Sequence, residues 1–173
     1  MTPTLLLTAL LSIAATPAAP TLQPAHQQVV DSWLQSHPDY RVAKESDCGE
    51  CSEQIQALRR GMGGAWKAAP NYQPYSVVGD FNGDGQKDLA IVVIAPLTAS
   101  KRFQILVFNG PFLGNQSHKP AFVSELLDLT GQGLFFGPPR PKPYRLLVGG
   151  FESEGMTLVP KGKGYAWHLS PND

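Results

Sequence analysis

Gly79-Asp80-Phe81-Asn82-Gly83-Asp84-Gly85-Gln86-Lys87-Asp88-Leu89 places oxygen-bearing side chains at every second residue around a glycine turn. Ca²⁺ takes about six to eight oxygen ligands at roughly 2.3–2.6 Å in a flexible arrangement. Asp80, Asn82, Asp84 and Asp88 offer carboxylate and amide oxygens, and the backbone carbonyl of Gln86 falls between the last two. Gly85 provides a position where positive φ costs little, so the loop can fold round an ion. The competing reading is a solvated Asp/Asn/Gly hairpin turn without metal. The flanks decide the setting. Ile91 stands where an EF-hand loop starting at Asp80 needs its bidentate Glu. Tyr75-Ser76-Val77-Val78 before the loop and Leu89-Ala90-Ile91-Val92-Val93-Ile94 after it are β-branched and apolar. The pattern therefore predicts a strand–loop–strand turn in a β-rich fold.

These residues resemble the FG-GAP or VCBS repeat family, whose Gly-Asp-Phe-Asn-Gly-Asp-Gly-x-x-Asp-Leu signature runs from Gly79 to Leu89. The resemblance implies calcium ligation by Asp80, Asn82, Asp84 and Asp88, with the Gln86 carbonyl between. Members of that family usually assemble several repeats into a propeller. Here one degenerate echo, Val148-Gly149-Gly150-Phe151-Glu152-Ser153-Glu154-Gly155, has Gly150 in place of the first ligand. Repeat architectures need about three units to bury a continuous core. A closed propeller is excluded on length, so the likeness carries over the loop and not the family's architecture or adhesion roles.

Working outward, Tyr75 onward reads as short β runs separated by Gly, Asn and Pro: Ser76 to Val78, Leu89 to Ile94, Phe103 to Phe108, Ala121 to Leu127, Arg145 to Val148, Met156 to Val159 and Tyr165 to Leu169. Lys161-Gly162-Lys163-Gly164-Tyr165 reads as a hairpin tip, and Pro138 to Pro143 as an extended surface connection. Towards the N-terminus, Val29, Val30, Trp33 and Leu34 share one face at helical spacing between Pro24 and Pro38. A second helix is predicted over Cys48 to Arg60, with Asp47 and Glu50 at capping-box spacing and Gly61 as its stop. The expected fold is α+β: N-terminal helices packed on a mainly antiparallel β-sheet, not a closed propeller.

The first 19 residues carry no Asp, Glu, Lys or Arg, and Leu5 to Ala15 form an apolar block too short to span a bilayer. Small residues and prolines follow, which predicts a signal peptide over residues 1–19 and a single domain over 20–173. No later apolar run approaches membrane length, so the mature protein is expected to lack a membrane span and to be secreted or periplasmic. In an oxidising compartment Cys48 and Cys51, the two cysteines of the chain, are expected to pair as a disulfide. The alternatives are a redox Cys-x-x-Cys at a helix start and metal thiolates.

Lys plus Arg number 14 and Asp plus Glu 14, which argues against nucleic acid or a charged membrane surface as partner. His26, His37, His118 and His168 lie scattered, and no hydrolase elbow, zinc-protease or P-loop motif is present. Glu152 and Glu154 read as a solvated strand edge, and Trp33, Trp66, Trp167, Phe135 and Phe136 as core. The expectation is an exported calcium-binding protein with no catalytic residues, acting as a binding or interaction module for an extracytoplasmic protein or glycan. A thiol–disulfide oxidoreductase using Cys48 and Cys51 is the second reading, and a calcium-dependent hydrolase the third.

Overall fold

Pro24 fixes the backbone for the first turn of α1 (Pro24–Ser36), and His37, whose amide bonds to the Leu34 carbonyl at 3.0 Å, ends it just before Pro38. The computed structural model of the chain describes residues 22–61, 68–96, 102–113, 118–137, 142–151 and 155–168. The predicted leader, Trp66, Glu152, Glu154, residues 138–141 of the proline-rich connection and Leu169 lie outside them. Val29, Val30 and Trp33 form the buried stripe of α1. They pack on Leu89, Ile91, Val93, Leu106 and Phe108, and each such side chain removed from water contributes roughly 1.5–3 kcal/mol.

After α1 come β1 (Arg41–Val42), a 3-10 turn (Glu45–Cys48), α2 (Ser52–Arg60), β2 (Ser76–Gly79), β3 (Asp88–Ile94), β4 (Phe103–Phe108), β5 (Phe122–Val123), β6 (Gln132–Phe135), β7 (Leu146–Gly150), β8 (Gly155–Lys161) and β9 (Gly164–His168). The strands form two antiparallel sheets, not closed into a barrel. In the first, β3 pairs with β4 along one edge while β2 and β1 share the other, and β5 lies outside β4. Val92 joins the two short strands: its amide donates to the Tyr75 carbonyl at 2.9 Å and its carbonyl accepts the Ala43 amide at 3.0 Å. The second sheet runs β6-β7-β8-β9, and its last hairpin turns at Gly162 and Lys163, as the sequence predicts.

Every residue of β3 is buried, which explains its unbroken apolar run. Leu89, Ile91 and Val93 face α1. Ala90, Val92 and Ile94 join Phe103, Ile105 and Val107 of β4 in a cluster with Leu134, Leu146, Val148, Leu158 and Tyr165 of the second sheet. Ile55 and Leu58 of α2 close on the same cluster. The layers are therefore α1, first sheet, second sheet. Among the described residues no helix is long and apolar enough to cross a membrane.

The mixed α+β class agrees with the sequence, and three details differ. The predicted helix over Cys48 to Arg60 divides, because Gly49 adopts φ 77° and separates the 3-10 turn from α2. Asp47 caps the 3-10 turn, taking the Lys44 amide at 2.7 Å. The predicted strand over Ala121 to Leu127 shortens to Phe122–Val123, because Ser124 Oγ accepts the Ile105 amide at 2.9 Å and donates to the Glu125 carbonyl at 2.6 Å. Pairing resumes only at a bridge between Leu127 and Phe103. The expected one sheet is two: β7, β8 and β9 pair apart from the first sheet, together with β6, a strand that the sequence reading leaves as loop.

Candidate metal centre

β2 and β3 pair up to Gly79 and Asp88, and this closing pair ties the ends of the loop. Within it Asp80 accepts two amides, Gly83 at Oδ1 (2.7 Å) and Gly85 at Oδ2 (3.0 Å). Asn82 Oδ1 accepts the Asp84 amide at 2.9 Å, and Asp84 Oδ1 accepts the Gln86 amide at 2.7 Å. The Asn82 side-chain amide donates to Asp84 Oδ2 at 3.1 Å. These contacts wind the chain into one tight turn, and Gly83 and Gly85 meet its need for left-handed backbone at φ 81° and 84°. Asp84 and Gln86 are exposed, while Asp80 and Asn82 are half-buried.

Asp88 sits beneath the turn with no exposed surface. Its Oδ2 accepts the amides of Phe81 (2.8 Å) and Asn82 (3.3 Å), and its Oδ1 accepts the Gly110 amide at 3.0 Å. Burial pushes its pKa up, the three amides pull it back, and the Asp84 charge adds to the rise. The Phe81 side chain anchors the loop from below, buried edge-on against Phe136 with ring centres 4.9 Å apart. Gly110 reaches Asp88 because it has no side chain: a Cβ there would collide with the Lys87 carbonyl.

The structure thus gathers Asp80, Asn82, Asp84 and Gln86 around one turn and turns Asp88 towards amides at its base. Among the described residues no three His, Cys, Asp or Glu side chains converge so as to hold a metal between them. The donor set nevertheless suits a hard cation: every candidate ligand atom is oxygen, with no nitrogen or sulfur to favour a transition metal. Each oxygen of Asp80 and Asp84 meets one of the hydrogen bonds above and keeps a further lone pair. Two neighbours of Asp88 escape sequence reasoning, because Gly110 and Tyr165 stand 22 and 77 residues away along the chain.

Cys48 and Cys51 form a disulfide with Cα atoms 5.9 Å apart, as the spacing predicts. They border a cleft of about 540 Å³ with Gly49, Glu50, Gln54, Thr130 and Phe151, yet are only 0% and 3% exposed. Exchange requires a thiolate to reach a sulfur atom, so this burial opposes rapid turnover. His37 bonds through Nδ1 to the Trp33 carbonyl at 2.8 Å, stacks on its ring and borders a cleft with His118, whereas His26 is buried against Phe112. Comparison of the chain with protein-family models, curated proteins and solved structures finds no match.

Proposed function

We propose that the protein is an exported calcium-binding module without enzymatic activity, in which one Ca²⁺ at Asp80, Asn82, Asp84, the Gln86 carbonyl and Asp88 stiffens the β2–β3 turn that it presents to an extracytoplasmic protein or glycan. The observation that carries the reading is the turn itself. Asp80, Asn82 and Asp84 are wound together by left-handed glycines, with a third carboxylate, Asp88, buried at the base. Like charges held this close repel, and a divalent cation relieves the repulsion. The likeness to the FG-GAP and VCBS signature supports the same ligand set, and the apolar leader supports export.

Isothermal calorimetry with Ca²⁺ tests the reading. The wild-type chain is expected to bind one ion, and Asp84→Ala to abolish the heat while the far-ultraviolet circular dichroism stays native, because the core lies outside the loop. Absence of any heat with the wild type would leave the loop as a solvated hairpin turn.

A further inference from the structure

Asp88 has a fourth neighbour that comes from the other sheet. The hydroxyl of Tyr165, on β9, lies 3.3 Å from Asp88 Oδ2 and 2.8 Å from Oδ1 of Asn109, just after β4. Tyr165 is 8% exposed and Asp88 wholly buried, so water does not supply these bonds in its place. A phenol has a single proton, and both facing oxygens are acceptors, so Asn109 and Asp88 compete for it. The tyrosine is delivered by a rigid element. β9 is paired along its length with β8, and Gly164 lets it run close over the Ala121 carbonyl, which a Cβ would approach to 2.7 Å.

We propose that Tyr165 is a positioning residue for the calcium loop: its hydroxyl holds the Asp88 carboxylate from the opposite sheet, and Asn109 limits the share of that hydrogen bond which Asp88 receives. The inference rests on the reading of the loop as a Ca²⁺ site. A carboxylate that ligates a cation binds best when a second set of hydrogen bonds fixes its orientation, and removing such a partner commonly weakens metal affinity about tenfold or more. The amides of Phe81, Asn82 and Gly110 belong to the loop and to the chain after β4, within the same sheet. Tyr165 alone among these partners makes the affinity of the loop depend on where the second sheet stands.

Calcium titration calorimetry on the full chain decides the matter, with wild type, Tyr165→Phe and Asn109→Ala compared. Tyr165→Phe is expected to raise the Kd about tenfold. Asn109→Ala, which leaves the tyrosine proton to Asp88, is expected to lower it severalfold. Thermal melts in EDTA read the packing contribution separately. Lowered melting temperatures in EDTA with both Kd values unchanged would mean a purely structural hydrogen bond and overturn the proposal, as would equal weakening by the two variants. If Tyr165→Phe fails to fold, Asn109→Ala decides alone: tighter binding supports the proposal, and an unchanged or higher Kd overturns it. A wild type that gives no heat defeats the calcium reading itself, whereas a wild type that binds and is indifferent to Tyr165 defeats only this inference.

Discussion

Asp47 accepts hydrogen bonds from both terminal nitrogens of the Arg41 guanidinium, at 2.6 and 2.8 Å, and from the Lys44 amide at 2.7 Å. The Arg41 hydrogen bonds, helped by that amide, hold its pKa below the usual carboxylate range against the cost of burial. A lowered folded-state pKa contributes stability that is present in full above the unfolded value near 4 and is lost as pH falls through the folded one. Arg41 is half exposed, so the pair contributes only about 1 kcal/mol. Asp47→Asn should lower the melting temperature by roughly 2–4 °C at pH 7, and the gap to wild type should close as the pH falls below the usual carboxylate range, as melts across a pH series would show. The residues that the sequence reveals best are those whose partners are local. Asp80, Asn82 and Asp84 bond to amides two to five residues on, so their spacing carries their role. Asp88 is readable as an acid of the loop, but nothing in its neighbourhood announces that Gly110 and Tyr165 will meet it.

At the scale of elements, α1 is held by its buried stripe more than by its caps, since Gln23 makes no side-chain capping bond. Trp33→Ala should cost about 3–5 kcal/mol and lower the melting temperature by roughly 10 °C, measured by circular dichroism, and a fall of under 2 °C would mean that the stripe contributes little. The disulfide bridges the 3-10 turn to the cap of α2 and encloses a very short ring, so the entropy it removes from the unfolded chain amounts to only about 2 kcal/mol. Native protein in dithiothreitol should therefore gain alkylatable thiols slowly, at a rate set by unfolding, as mass measurement after quenching would record. Immediate alkylation would instead favour the oxidoreductase reading. Long apolar strands such as β3 and β4 stand out in the sequence, and the structure keeps their limits within a residue. β6 does not, because Gln132-Gly133-Leu134-Phe135 has neither alternation nor β-branched residues. It becomes a strand through its partner β7 and through the Leu134 amide, which bonds to the Pro74 carbonyl at 2.8 Å.

For the whole molecule, an ion that binds only the folded state should stabilise it by roughly 2.7 kcal/mol at a hundredfold excess over Kd, which raises the melting temperature by about 5–10 °C. Melts in EDTA, millimolar Mg²⁺ and millimolar Ca²⁺ should separate, with Mg²⁺ near the EDTA curve because it demands a tighter octahedron and sheds water reluctantly. Coincident curves would count against the ion. The division into two sheets lay beyond sequence reasoning, since periodicity assigns a residue to a face but leaves open which strand pairs with which. The double covering of β3 has a consequence for solubility. Leu89-Ala90-Ile91-Val92-Val93-Ile94 is an uncharged, β-prone hexapeptide of the kind that stacks with copies of itself when it is exposed. In the native fold α1 shields one face, the second sheet the other, β4 one edge, and β1 and β2 together the remaining edge. The tiling of that edge by two strands far apart in sequence therefore acts as a guard against aggregation. A lesion that loosens β1, which holds only Val93 and Ile94, would open a sticky end of β3 while most of the molecule remained folded, so the chain would precipitate before it melted.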